Sequence, residues 1–557
     1  MSDRKIGVLI CSCKNRISSR LQKLDSIKEF CSCHPNISFM KIVDELCMEP
    51  GLLKKLKGQV DGVLVVLRCT NQKYIAKWKD VLESTGIPIF ACEFVDIEKL
   101  PLKTDDQTDK YVKLLINAYT AKILAGWEVA REAEPVGIVK MFESIDKPVV
   151  NRREFLKMSL KLGKYEEVPV INTKNCIAAS SNCQICVDSC STRALIKKDG
   201  KICLKEDRCI KCGWCTVSCP FNCIQIPSFT GPAGLALLEN LADVIELNDD
   251  FSLIISCAAG CEKINKISPD LIKKHALFIV QVPSLASISY LHLIRAVELG
   301  FNRIILLCPE SNCPRQKALG KWEPMFSFIK QLLEANGVNC PLQLEKTHNK
   351  RDIEQFFYLL KPASRSNSRI KTPIELDPKE NDCRLKFVQS LNNLIKTGIK
   401  KNKYYDSPLP FYCISINPEQ CSMCGSCWEK CPCQAITMEE TSQGNIIKFN
   451  YIKCIGCGTC IYNCAENAIV IDKKLDLGNL FEELNVVLKI DELIKCKGCP
   501  KIIGTRSFIE KVKQDLINKG WLNNVEKIYY CSDCQVMELE HEMLKGIFDK
   551  DIHIYRR

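Results

Sequence analysis

Cys421-Ser422-Met423-Cys424-Gly425-Ser426-Cys427-Trp428-Glu429-Lys430-Cys431-Pro432 and, further on, Cys454-Ile455-Gly456-Cys457-Gly458-Thr459-Cys460-Ile461-Tyr462-Asn463-Cys464 carry cysteines in two runs of one form, C-x2-C-x2-C-x3-C. The short gaps let three thiolates reach one iron-sulfur cube, while the fourth, at the start of a helix, crosses to the cube of the other run. This spacing assigns Cys421, Cys424, Cys427 and Cys464 to one 4Fe-4S cluster and Cys454, Cys457, Cys460 and Cys431 to its neighbour. Zinc wants four ligands from paired knuckles and does not explain eight cysteines in this repeat.

The stretch from about 411 to 475 has an internal counterpart at about 171 to 229. There Cys209-x2-Cys212-x2-Cys215-x3-Cys219-Pro220 follows Cys176-x6-Cys183-x2-Cys186-x3-Cys190. Crossed ligation gives Cys176, Cys183, Cys186 and Cys219 to one cluster, and Cys209, Cys212, Cys215 and Cys190 to the other. The insertion Ile177 to Asn182 lengthens the first gap, so Cys203 or Cys223 could take the place of Cys176. Both stretches resemble bacterial-type two-cluster ferredoxins, which implies four 4Fe-4S clusters in all.

The chain has 557 residues, 46% hydrophobic and 26% charged, too long for one core, so several domains are expected. Its 37 cysteines cluster at two- and three-residue gaps, and the N-terminus lacks the pattern of a secretory signal. These features point to thiolate ligation in a reducing, cytoplasmic setting rather than to a disulfide framework. The formal charge of +12 counts every cysteine as neutral. Five clusters at about −2 each would leave roughly +2, which argues against nucleic acid as a partner. No apolar run approaches the roughly 18 residues needed to span a bilayer, so no direct membrane insertion is expected. Arg152-Arg153-Glu154-Phe155-Leu156-Lys157 looks like a twin-arginine export motif, but Lys161, Lys164 and Glu166 break the stretch behind it. It reads as a helix start in a linker spanning 131–170.

Ahead of these modules, apolar runs Ile6 to Ile10, Val63 to Leu67 and Ile87 to Phe90 end near Cys11, Cys69 and Cys92, with helical patterns between. Strands alternating with amphipathic helices imply a parallel sheet, whose ligands gather at the carboxyl ends of strands. A second α/β unit over 230–362 has strands at Leu253 to Ile255, Phe278 to Val282 and Ile304 to Leu307, and helices near 286–299 and 322–336. Its Cys257-x3-Cys261 and Cys308-x4-Cys313 could meet at the sheet's edge as a four-thiolate site, or be scattered core cysteines. Within an interdomain linker over 363–410, the segment Ala363 to Asp382 leads to a short amphipathic helix.

Ala296-Val297-Glu298-Leu299-Gly300 and Cys308-Pro309-Glu310-Ser311-Asn312-Cys313 resemble the delta subunit of methyl-viologen-reducing hydrogenase. The resemblance implies a 2Fe-2S cluster on Cys257, Cys261, Cys308 and Cys313, and docking to heterodisulfide reductase. Val8-Leu9-Ile10-Cys11-Ser12-Cys13, Cys47-Met48-Glu49-Pro50-Gly51 and Arg68-Cys69 resemble the amino-terminal domain of the A subunit of heterodisulfide reductase, over residues 1–130. Cys11, Cys13, Cys47 and Cys69 could hold an additional cluster or be buried small hydrophobes. No Gly-x-Gly-x-x-Gly follows a strand, and Gly231-Pro232-Ala233-Gly234 is a poor substitute, so no flavin or NAD is expected. At the C-terminus, over 476–557, Cys496-x2-Cys499 and Cys531-x2-Cys534 flank a helix near 506–519, which suits a zinc or a further cluster.

The expected fold is a multidomain α/β chain. Two parallel-sheet α/β domains alternate with two ferredoxin-like modules, and a small C-terminal four-cysteine domain follows. The expected role is one-electron relay between redox subunits of hydrogenase, formate dehydrogenase or heterodisulfide reductase type. The alternative is a reductase using an N-terminal cluster on a disulfide or small substrate. No Ser/His/Asp set, phosphate loop or paired-carboxylate motif emerges.

Overall fold

Strands built of unbroken apolar residues need cover on both faces, the condition met by parallel sheets flanked by helices. In the computed structural model, Ile6–Cys11 and Gly62–Leu67 are such strands, buried along their whole length. They form the centre of a parallel sheet ordered Ile37–Val43, Ile6–Cys11, Gly62–Leu67, Cys92–Asp96. The second sheet repeats this plan: Leu277–Gln281, Ser252–Ser256, Arg303–Cys308, Leu342–Lys346, again all parallel. In both, the first and third strands in chain order lie side by side, so the connections leave in opposite directions between them. That is the switch point at which open α/β sheets present ligand crevices.

The structure describes residues 4–12, 24–44, 46, 51–56, 58–67, 78, 81, 87–97, 105–132, 168–245, 251–309, 313–347, 349–360, 383–395, 402–441, 444–481, 485–521, 525–537 and 540. Cys13, Cys47 and Cys69, the Arg152-Arg153 motif and the segment 363–382 lie outside the described residues. The chain divides into two compact units, one holding most of residues 1–400, the other 401–557 together with Ser180–Cys183.

One expected strand moves. Ile87 to Phe90 contains Pro88, and a 3-10 turn at Ile89–Ala91 precedes the strand Cys92–Asp96, so Cys92 opens its strand instead of following it. The edge strand Ile37–Val43, buried only at its two ends, escapes the sequence pattern because Ser38 and Lys41 interrupt its apolar residues.

The two cysteine-rich stretches share a topology. In the first, Val170–Ile171 pairs antiparallel with Ile224–Gln225 around a hairpin of Leu195–Lys198 and Lys201–Leu204. In the second, Tyr412–Ile416 pairs with Ile469–Asp476 around the hairpin Ile436–Thr441 and Gly444–Asn450. The second is enlarged: Lys403–Tyr405 adds to the outer pair, and Asn485–Asp491, beyond residue 475, adds to the hairpin. None of the described helices is long and apolar enough to cross a membrane.

Gly231-Pro232-Ala233-Gly234 opens the helix Gly231–Ile245 and serves packing. A Cβ at Gly234 would lie 2.5 Å from His292 Nε2. His292 sits in the helix Tyr290–Glu298, where Nδ1 accepts from the N–H of Ser289 at 3.1 Å and Nε2 donates to the Gly231 carbonyl at 3.0 Å. The network therefore assigns a neutral ring with its proton on Nε2. Burial lowers the pKa of His292 to about 4, opposed by the Gly231 carbonyl. A folded pKa below the unfolded value of about 6.5 gives stability that is whole above pH 6.5 and lost as pH falls toward 4. Denaturant midpoints of the first unit should thus show about 1.5 kcal/mol more loss between pH 6.5 and 5 than those of His292→Gln. Parallel pH profiles for the two proteins would refute this.

Candidate iron-sulfur and metal centres

Each C-x2-C-x2-C run has to wrap around a point, which needs backbone turns that ordinary residues avoid. Lys211 and Gly213 in the first module, and Met423 with Gly425 and Gly456 with Gly458 in the second, all have positive φ. Left-handed residues alternating with ordinary ones aim successive N–H groups inward, the geometry of an anion nest. Gly213 is doubly constrained, because a Cβ there would also lie 2.5 Å from the Cβ of Ser287. The Cys176 run departs from this plan: its longer gap holds a 3-10 turn, Ile177–Ala179.

The ends of the four runs are alike. Arg193, Asn222, Gln434 and Asn467, each three residues after the last cysteine of a run, all have φ near +50°. That turn brings the next N–H back onto sulfur: Ala194 to Cys190 Sγ at 3.3 Å, Ala435 to Cys431 Sγ at 3.2 Å and Ala468 to Cys464 Sγ at 3.3 Å. In the remaining run the N–H of Cys223 reaches Cys219.

The structure brings the cysteines together across runs. Burial first, then the neighbouring thiols Cys212, Cys209, Cys186 and Cys190, push the Cys215 thiol up. Cys427 is pushed up to about 12 by burial and by Cys421, Cys460 and Cys424. Cys460 is likewise raised to about 12 by burial and by Cys457 and Cys431. Cys464 lies among the charges felt by Cys421. Converging thiolates repel one another in a poorly solvated site, and a cationic iron-sulfur core would relieve that repulsion.

Of the two alternatives to Cys176, Cys203 is exposed on the hairpin strand, whereas Cys223 is buried and hydrogen-bonds both Cys176 and Cys219. The bond from Cys223 lowers Cys176 to about 6. Cys223 fills the position held by Ala194, Ala435 and Ala468 in the other runs. Cys183 lies on a turn, its N–H donating to Ser181 Oγ at 3.2 Å, and Cys454 is buried at the start of its run.

In the second α/β region, Cys257 caps the helix Ala258–Asn265 and Cys308 ends its strand, at the carboxyl ends of the two strands flanking the switch point. Cys261, on the first turn of that helix, is buried with its thiol toward the Ser256 carbonyl at 3.7 Å. Cys313 is half-buried. The first ferredoxin-like module packs against this edge: Arg315 Nε donates to the Ile210 carbonyl at 3.3 Å and Lys321 Nζ to the Ser189 carbonyl at 2.8 Å. In the N-terminal sheet, Cys11 ends its strand fully buried in the apolar core.

Cys496, Cys499, Cys531 and Cys534 have all four sulfurs within 4.8 Å of one another, with Cys499 Sγ 3.6 Å from Cys531 Sγ. Thiolates on one tetrahedral ion at about 2.3 Å stand about 3.8 Å apart. Thiolates on different irons of a cluster stand further apart, so this set fits a single ion. The hairpin Leu493–Lys495 and Ile502–Thr505 carries the first pair. The N–H groups of Gly498 and Cys531 donate to Cys496 Sγ at 3.3 and 3.2 Å.

Residues 414–437, covering the Cys421 to Cys431 run, match the 4Fe-4S binding domain family. A stretch of 64 residues is 39% identical to an uncharacterized ferredoxin of Methanocaldococcus jannaschii, covering 12% of this chain and 34% of that one. The chain spans about a third of the length of the curated relative it matches. With the cysteine geometry, these matches mark residues 414–437 as a ferredoxin-like 4Fe-4S binding segment.

A Cβ at residue 498 would lie 2.9 Å from Cys534 Sγ. Gly498→Ala should therefore weaken metal retention at the C-terminal thiols about tenfold in chelator competition, as disturbing a ligand's supporting shell does. Acid-labile sulfide should be unchanged; undiminished retention of the C-terminal ion would contradict the geometry.

Proposed function

We propose that this chain is a wiring subunit, passing single electrons through four 4Fe-4S clusters on its two ferredoxin-like modules. The observation that carries this reading is the fourfold repetition of one sulfur-binding turn, in which fourth cysteines meet the cysteines of the opposite run. The proposed ligands are the crossed sets: Cys176, Cys183, Cys186 and Cys219; Cys209, Cys212, Cys215 and Cys190; Cys421, Cys424, Cys427 and Cys464; and Cys454, Cys457, Cys460 and Cys431. The clusters supply the redox chemistry. The chain positions them and sets their potentials through burial, N–H donors to sulfur and local charge.

A 2Fe-2S cluster on Cys257, Cys261, Cys308 and Cys313 would extend the relay into the second α/β region. The packing of the first module on that edge supports a route through it, since electrons would cross a packed boundary and not open solvent. The C-terminal thiols would hold one zinc in a structural role. Partners would be redox subunits of hydrogenase, formate dehydrogenase or heterodisulfide reductase type.

Anaerobic analysis of the purified chain should find about 16 irons or more with matching acid-labile sulfide. Cys424→Ala or Cys212→Ala should remove one cluster's signal on stepwise reduction and stop electron passage from reduced viologen to an added acceptor. Undiminished throughput with that cluster gone would sink the relay, and a chain rich in zinc but poor in sulfide would sink the clusters themselves.

A further inference from the structure

Lys489 lies on the strand Asn485–Asp491, which joins the hairpin of the second module. Its residue is only 7% exposed. Nζ donates to the Pro418 carbonyl at 2.9 Å, the Cys421 carbonyl at 2.6 Å and Ser507 Oγ at 2.7 Å. These three bonds satisfy every donor of the ammonium group, and all three acceptors are neutral oxygens. The charge is thus fixed in place without being cancelled. The nearby carboxylate of Asp491 turns instead to the backbone N–H of Ser507, at 2.9 Å. Ser507 stands in the first turn of the helix Arg506–Asn518, so the C-terminal segment completes the seat in which Lys489 is held.

Burying an ammonium group is costly even when it is fully hydrogen-bonded, and neutral residues of similar size usually fill such a place at less expense. The position of this charge is informative. It sits on the loop that presents Cys421, and Lys489 lowers the pKa of that thiol against the larger, opposing effect of burial. Lys453, the residue before Cys454 in the other run, is exposed, so water screens its charge.

We propose that Lys489 is a potential-setting residue: its buried charge raises the reduction potential of the cluster assigned to Cys421, Cys424, Cys427 and Cys464 above that of its neighbour in the same module. Reduction adds one electron to the cluster, and a fixed positive charge at short range through a poorly solvated medium favours the more negative state. The ammonium bonds the loop of Cys421 and acts on that thiol, and it is not among the charges felt by Cys460 of the other run, so the neighbouring cluster gains less. The two clusters then differ in potential, and an electron in the module rests preferentially on the one beside Lys489. This inference rests on the clusters proposed above and adds an order between two of them.

The test is a redox titration of the full chain, followed by electron paramagnetic resonance, with iron and sulfide counted on the same samples. Lys489→Met should leave both counts unchanged and lower one midpoint, weakening that cluster's reduction about tenfold, or about 59 mV for a one-electron couple. Lys489→Arg, which keeps the charge, should restore most of the shift. In a Cys424→Ala background, which lacks the affected cluster, Lys489→Met should shift none of the remaining midpoints. Unmoved midpoints with full iron would overturn the proposal, as would an equal shift of every cluster. Loss of one cluster's iron in Lys489→Met would overturn it too, by making Lys489 a prop of the loop. A wild-type chain without sulfide would overturn the cluster reading itself, and this inference with it.

Discussion

Four sulfurs of like charge cannot be gathered in a half-buried space unless something answers their charge, and the backbone gives the first part of that answer. Behind the last cysteine of every run, a left-handed residue turns the chain so that the N–H four residues on points back at sulfur. Such a donor favours the thiolate over the thiol and so prepares the site for a cationic core. The rest of the module follows from that turn, since the strand after it carries the chain away and sets the hairpin. In three of the runs, left-handed residues ahead of it let the other three thiols face a second point, where the fourth cysteine of the opposite run joins them in the proposed ligation.

Around this constraint, packing fixes where the modules lie within their own units. Gly213 lies against Ser287 without room for a Cβ, and Arg315 and Lys321 clasp carbonyls of the first module's loops. In the second unit the C-terminal helix fills a comparable place. Lys511 pairs with Glu466 beside Cys464 at 2.8 Å, and Ser507 reaches Lys489. Deeper in the first unit, the ion set of Arg295, Glu298 and Glu239 joins two helices, with Arg295 and Glu298 almost wholly buried. Removing one member of such a set leaves a stranded charge.

What could be read from sequence was what is local. Each C-x2-C-x2-C segment holds three cysteines within seven residues, so the local turn that gathers them is legible from spacing. The central strands declare themselves by unbroken apolar runs, Ile6 to Cys11 in one sheet and Ile304 to Cys308 in the other. The edge strand Ile37–Val43 does not, because Ser38 and Lys41 break its apolar residues into short pieces. Pro88 broke an apolar run that resembled a strand. Lys489 gave no signal, since its partner Cys421 lies 68 residues away and a lysine in an alternating strand reads as a solvent-facing residue. Cys223 could be named as an alternative to Cys176, but only its burial beside Cys176 and Cys219 separates it from Cys203.

The crossing of the fourth cysteines also bears on how the protein is made. In the proposed ligation, Cys421, Cys424 and Cys427 form a three-sided cup whose fourth wall, Cys464, is translated last. Cys431 is in turn held ready for a cluster whose other ligands have yet to leave the ribosome. Neither cluster of the module can therefore be completed on a nascent chain that stops between the two runs. In that ligation, completion of either cluster waits for the whole module.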